Sequence, residues 1–313
     1  TWHAAGLVSQ LGPSATITKI WKYSLDLYKE LEKKVDHSAG LRLNGALSIA
    51  QNKERWQELQ RQATTAQLYD VDVRVLDKDQ IKKNYPIINT DQILGGIFMP
   101  GDGAADPSGV TYMLAKAAKK EGAQIFEKSP VDEILTKQGK ISGVKVNGQE
   151  IECEYIVLAS GMWSRQIGEK AGVSIPLYPA EHFYIITEPI ENLSKTLPTI
   201  RDFDNRTYIK EDAGKLLVGI FEANSIPAFN KTNKVPEDFS FGEFQENFEH
   251  FEPYLNAAVK RFPVLETAGI RKFFSGPESF TPDTQYLLGE TPEVSNLYLS
   301  LIHISEPTRP ERI

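Results

Sequence analysis

One cysteine, Cys153, among 313 residues excludes an internal disulfide and a thiolate metal cluster. Such scarcity fits a reducing compartment. No apolar run reaches the roughly 18 residues of a spanning helix, so no membrane segment is expected. Lys and Arg form no block and the net charge is −7, which argues against a general nucleic-acid binder. His37, His250 and His303 have no acidic or histidine partners at ligand spacing, leaving no case for a metal. The glycine fingerprint G-x-G-x-x-G of dinucleotide-binding turns is absent, as are an initiator Met and any internal repeat.

What is present is the composition of a globular protein, 41% apolar and 25% charged, in a chain long enough for one large or two ordinary domains. Trp21, Leu25, Tyr28, Leu31 and Val35 recur at helical spacing and predict an amphipathic helix over about 17–35. A polar helix is expected over about 53–69, a short one near 79–84, and strands at 45–50, 73–76 and 93–99. Asp106 reads as an N-cap with Pro107 at the first helical position, and Gly122 closes that helix. Gln124 to Glu127 predicts the start of a strand. Segments 131–135, 141–146 and 150–153 alternate as a small antiparallel meander. Tyr155 to Ala159 is a continuous apolar run, the pattern of a strand buried on both faces.

After Pro176 the character changes. Strands are expected at 182–187, 207–210, 216–221 and 270–274, and near 286–288 and 297–300. A long helix is expected over about 242–261, with Phe244, Phe248, Phe251 and Leu255 on one side. The order of elements points to α/β (α+β), with a β-rich second layer or domain after residue 176.

Five motifs stand out. Thr1-Trp2-His3-Ala4-Ala5-Gly6-Leu7 sets an imidazole, a nucleophile or ligand, before small residues that let something flat approach the backbone. A plain histidine at a strand-to-helix turn is the other reading. Pro100-Gly101-Asp102-Gly103 leads to Asp106-Pro107, which a tight turn and a cap also explain. Ala159-Ser160-Gly161-Met162-Trp163-Ser164 follows the apolar strand, where open α/β sheets bind ligands; Trp163 suits a ligand wall or the core equally. Pro176-Leu177-Tyr178-Pro179-Ala180-Glu181-His182-Phe183-Tyr184 offers His182 as a proton acceptor or as a satisfied histidine in a sheet. Tyr208, on a later strand, is a hydrogen-bond donor or simply a good β-former. Last comes Gly276-Pro277-Glu278-Ser279-Phe280-Thr281-Pro282-Asp283, dense enough in Pro and Gly to predict a rigid turn.

Together these motifs resemble the dimethylglycine and sarcosine dehydrogenase family, FAD-dependent amine oxidoreductases of the D-amino-acid-oxidase-like class, along nearly the whole chain from Thr1 to about Ser300. The resemblance implies that His3 carries FAD covalently through the 8α-methyl group. It implies that Trp2, Ala4, Gly6, Gly161 and Trp163 line the cofactor. His182 and Tyr208 become the catalytic residues, with His182 favouring the neutral amine. It also implies a fold with an incomplete Rossmann-like FAD-binding domain over 1–42, 99–175 and 273–300. A β-rich antiparallel substrate-binding domain would occupy 43–98 and 176–272.

The activity implied is oxidative N-demethylation of a small N-methyl amino acid. An iminium forms and gives formaldehyde or methylene-tetrahydrofolate. Electrons then pass to an electron-transfer flavoprotein or to oxygen. The compartment would be bacterial cytoplasm or mitochondrial matrix. Two departures accompany the resemblance. The family's G-x-G-x-x-G lies upstream of the T-W-H-A-A-G turn, so the chain reads as a fragment starting just after it. Beyond Ser300 the family's glycine-rich turn is replaced by a polar run, and residues 302–313 resemble translated sequencing adapter. Another flavin-dependent amine or amino-acid oxidase is the rival within the class. A non-catalytic regulatory protein on the same fold, like the pyruvate dehydrogenase phosphatase regulatory subunit, is the rival outside it.

Overall fold

A computed structural model describes residues 4–301. The elements run in the order β1 (Leu7–Val8), α1 (Ala15–Val35), β2 (Ala46–Ala50), α2 (Lys53–Ala66), β3 (Arg74–Leu76), α3 (Lys78–Asn84), β4 (Gly95–Met99), β5 (Gly103–Ala104) and α4 (Pro107–Lys120). Then come β6 (Val131–Lys137), β7 (Lys140–Val146), β8 (Gln149–Glu152), β9 (Ile156–Leu158), α5 (Ser164–Lys170) and β10 (Tyr178–Thr187). The last are β11 (Thr199–Asp202), β12 (Thr207–Asp212), β13 (Lys215–Ile220), α6 (Phe248–Arg261), β14 (Ile270–Phe280), β15 (Leu287–Glu290) and β16 (Leu297–Leu301). Contacts divide the chain into two compact units. The first comprises Thr1–Gln124, Phe183–Ala223 and Gln245–Ser275; the second comprises Ile125–His182, Asn224–Phe244 and Gly276–Ile313.

Local chemistry sets the helix ends in the first unit. Ser14 caps α1 by accepting from the Ile17 amide at 3.3 Å, and α1 ends at Asp36 in the left-handed region (φ 49°). Asp106 caps α4 through the Ser108 amide at 3.0 Å, with Pro107 in the first turn, as the sequence predicts. These two helices share a core of Leu31, Val35, Ala39, Met113 and Ala117.

The main sheet has eight strands in the order β14-β10-β13-β12-β11-β2-β4-β3. It is mixed: β11 runs parallel to β2, placing Ile200 opposite Leu47, whereas β12 is antiparallel to β11 and β13. Every residue of β2 is buried. In the second unit β6, β7 and β8 form the expected antiparallel meander, and β9 pairs in parallel with β16. Its core gathers Ile134, Ile141, Leu158, Val173, Ile175, Leu177 and Leu297. No described helix is long and apolar enough to cross a membrane.

Five local expectations need correction. Strand β11, Thr-Ile-Arg-Asp, was not foreseen, because its charged pair lies buried rather than at a surface. Gln124 to Glu127 is irregular, with Phe126 exposed. The long helix begins only at Phe248, capped by Asn247. Phe244 instead packs in a loop cluster with Phe229 and Phe239, at ring distances of 5.4 and 5.7 Å. The strand from Ile156 to Leu158 is not buried on both faces: Val157 is 62% exposed, since among the described residues nothing covers that face. Finally, Gly276-Pro277-Glu278-Ser279-Phe280 is no turn but the second half of β14. Proline is tolerated there because β14 ends the strand order, and an edge strand can spare a donor.

Candidate functional site

Trp2 and His3 lie outside the described residues. From Ala4 onward the segment is held by buried charge on β11 and β12 and in the turn before β5. The Ala5 carbonyl accepts from Lys210 Nζ at 2.7 Å. The Ser9 hydroxyl accepts from the Arg201 guanidinium, and the Gln10 amide donates to Asp102 Oδ1 at 2.9 Å. Arg201 Nη1 stands 3.9 Å from Asp102 Oδ2, and Asp102 is fully buried. Between these anchors Leu7 and Val8 pair with Ala104 and Gly103. Gly6 has φ +74°, and a Cβ there would collide with the Ala105 carbonyl oxygen, so only glycine fits. Burial pushes the Lys210 ammonium below the ordinary lysine value. Arg42 and Glu211, 2.8 Å apart, lie beside it.

The same segment leans on aromatic rings. Ala5 and Leu7 pack against a buried cluster of Tyr184, Tyr208, Leu217 and Phe221. Tyr184 stacks on Phe274 at 4.6 Å, and Tyr208 meets Phe221 at 5.1 Å. In register, Gly219 lies opposite both Tyr184 and Tyr208. A Cβ at Gly219 would overlap the Tyr208 ring at Cζ and the phenol oxygen, so this glycine leaves the space the ring occupies. Lys210 follows Tyr208 by two residues and shares its face of β12. The structure thus places Tyr208 in the cluster on which Ala5 and Leu7 pack.

In the second unit, His182 on β10 and Glu278 on β14 come together. His182 Nδ1 stands 3.6 Å from Glu278 Oε2, with side-chain exposures of 15% and 9%. Their strands are neighbours in the sheet. Gly161, φ +54°, follows β9, and the place of its missing side chain is open for 4 Å. That open backbone past the carboxyl end of a parallel strand suits a planar ligand. Trp163 is half-buried, its indole N–H donating to the Pro236 carbonyl at 3.1 Å.

Sequence reasoning missed Glu278, Lys210 and Arg201. Glu278 stood inside a quoted motif, but reading that motif as a turn hid its neighbour. Lys210 was legible only as the residue two places beyond Tyr208.

The sequence pattern of the FAD dependent oxidoreductase family, DAO, matches residues 1–305. The chain is 36% identical to 4-methylaminobutanoate oxidase (formaldehyde-forming) of Paenarthrobacter nicotinovorans, over 96% of this chain and 36% of that protein. It is 36% identical to mitochondrial sarcosine dehydrogenase of Homo sapiens, over 96% of this chain and 33% of the enzyme. It is also 32% identical to the mitochondrial pyruvate dehydrogenase phosphatase regulatory subunit of Mus musculus, over 96% of the chain and 34% of that subunit. The chain thus spans about a third of the length of these relatives. Among solved structures, L-proline dehydrogenase from P. horikoshii superposes with a TM-score of 0.83 at 22% identity, covering 97% of this chain and 77% of that one. With the family pattern running through almost every residue, this chain belongs to the FAD dependent oxidoreductase (DAO) family.

Proposed function

We propose that the protein containing this chain oxidises the N-methyl carbon of a small N-methyl amino acid, of the sarcosine, dimethylglycine or 4-methylaminobutanoate class. The observation that carries this reading is the packing of Ala5 and Leu7, just past His3, against the buried cluster that contains Tyr208. A tether segment and a substrate-facing phenol are then neighbours. His3 is proposed as the covalent attachment point of FAD, with Trp2, Ala4, Gly6, Gly161 and Trp163 lining it. The bound flavin supplies the two-electron acceptor for a hydride from the N-methyl carbon.

The chain's own residues prepare the substrate. An N-methyl ammonium has no free lone pair, so its proton must leave before the adjacent C–H bond can give up hydride. His182 is proposed to take that proton, and Tyr208 to hydrogen-bond the substrate carboxylate. The iminium left behind hydrolyses to formaldehyde or passes its carbon to tetrahydrofolate. An electron-transfer flavoprotein or oxygen accepts the electrons. The flavin domain is proposed over 1–42, 99–175 and 273–300, and the substrate domain over 43–98 and 176–272.

Anaerobic addition of sarcosine, dimethylglycine or 4-methylaminobutanoate to the flavin-loaded protein should bleach the visible flavin band. Acid precipitation should leave flavin on the protein, and His3→Ala should release it. An oxidised spectrum with all three amines would overturn the enzyme reading and favour a regulatory role.

A further inference from the structure

The motif Gly276 to Asp283 is left without a part in this function, yet it places one charged side chain inside the second unit. Glu278 is a buried carboxylate on an edge strand, and its oxygen faces Nδ1 of His182 on the neighbouring strand at 3.6 Å. An acidic residue buried beside an imidazole does three things at once. It selects the tautomer with hydrogen on Nδ1, it orients the ring, and it stabilises the imidazolium once a proton arrives. The distance is slightly beyond a formed hydrogen bond, and such contacts tighten when substrate fills the site.

We propose that Glu278 is the positioning residue of His182, holding hydrogen on Nδ1 so that Nε2 presents its lone pair to the substrate ammonium. The inference rests on the reading of His182 as proton acceptor. The proton balance is simple. The ammonium N–H bond breaks, a bond forms from that proton to Nε2, and the amine keeps the electron pair. The Nδ1 proton stays on the ring, facing the Glu278 carboxylate, so the charge ends on an imidazolium paired with that carboxylate.

The test is a double-mutant cycle on the flavin-loaded protein, read as the rate of flavin reduction by sarcosine, dimethylglycine or 4-methylaminobutanoate at saturating amine. Glu278→Ala should slow reduction by roughly 10- to 100-fold, the loss seen when the partner that orients a metal-ligating histidine is removed. Glu278→Gln should recover only part of the rate, because its amide oxygen can still accept from Nδ1–H while the neutral side chain no longer pairs with the imidazolium and its amide N–H can select the other tautomer. The double variant Glu278→Ala/His182→Ala should be no slower than His182→Ala alone. A merely structural glutamate would instead give multiplying losses, and that result overturns the proposal. So does a Glu278→Ala rate equal to wild type while His182→Ala is slow, which leaves the His182 reading standing.

A second readout does not depend on turnover. In 15N-histidine NMR, the resonances lost in His182→Ala identify the ring, and they should report Nδ1–H in the native protein and a tautomer mixture in Glu278→Ala. A native ring protonated on Nε2 overturns the proposal whatever the kinetics show. If His182→Ala reduces flavin at the native rate, the proton-acceptor reading falls; a retained Nδ1–H signature would then show only that Glu278 orients the ring.

Discussion

Strand β2 in the first unit reads Ala-Leu-Ser-Ile-Ala and strand β9 in the second reads Ile-Val-Leu, two apolar runs of the same type with different outcomes. All five residues of β2 are buried. It has β11 on one side and β4 on the other, and Leu59 and Ala63 of α2 cover it through Ala50. Strand β9 buries Leu158 into its core but leaves Val157 62% exposed, with β16 its partner in the three-stranded sheet. An apolar run therefore reports what a strand is able to bury, whereas its neighbours decide what it does bury. The first unit goes further and buries charge, enclosing Asp102, Arg201, Asp202, Lys210, Glu211 and Arg261. Burial of that kind is tolerated only when partners are built in with it.

The strongest way to break the comparison is to remove one such partner. Arg261, in the last turn of α6, donates to the carbonyls of Asn89 and Asp91 and stands 3.4 Å from Asp202. Burial pushes the Asp202 carboxyl above the ordinary aspartate value, and Arg261 opposes that shift. Arg261→Met keeps the bulk and deletes the charge. Gln51 and Asn205 still donate to Asp202, which softens the loss. The expected cost is about 3 kcal/mol, the lower end for a broken buried pair, measured by denaturant unfolding at neutral pH. A loss below about 1 kcal/mol would mean that water reaches Asp202 and that the first unit does not enclose its charges.

Lys210 gives a smaller effect with a definite sign. Its folded value is depressed, so above that value the unfolded chain still holds a proton that the folded chain has released. Stability from this group therefore rises with pH between the depressed value and the ordinary lysine value, by at most about 1.4 kcal/mol per pH unit. Lys210→Met should flatten the alkaline side of the stability curve, as read by unfolding at a series of pH values. An unchanged slope would show that Lys210 keeps its proton, held by the Ala5 carbonyl and nearby carboxylates.

How far the sequence revealed this molecule follows from the same contrast. Helix α1, the meander and the Asp106–Pro107 cap depend on spacing and local hydrogen bonds within a few residues, and they were legible. Strand β11 was not, because Arg201 and Asp202 look like surface residues until Ser9 and Asp102 meet one and Gln51, Asn205 and Arg261 meet the other. Those partners lie up to 192 residues away along the chain. His182 was singled out by its motif and Tyr208 by its resemblance to a tyrosine of the same family. Glu278 was quoted without a role, because its partner lies on a neighbouring strand and the glycine and proline before it looked like a turn.

The smallest expected effect falls on β9. Val157→Thr keeps the β-branched shape and the strand preference, and replaces an exposed methyl with a hydroxyl that water can satisfy. Surface changes of this kind stay within about 0.5 kcal/mol, so thermal unfolding of the variant should overlay that of the parent. A loss of about 1 kcal/mol or more would be the informative failure. A hydroxyl costs that much only where apolar atoms cover it and offer no hydrogen bond. The loss would therefore mean that in solution something lies over the face of Val157. The difference between β2 and β9 would then be one of which chain segment supplies the cover, and no longer one between a buried strand and an open one.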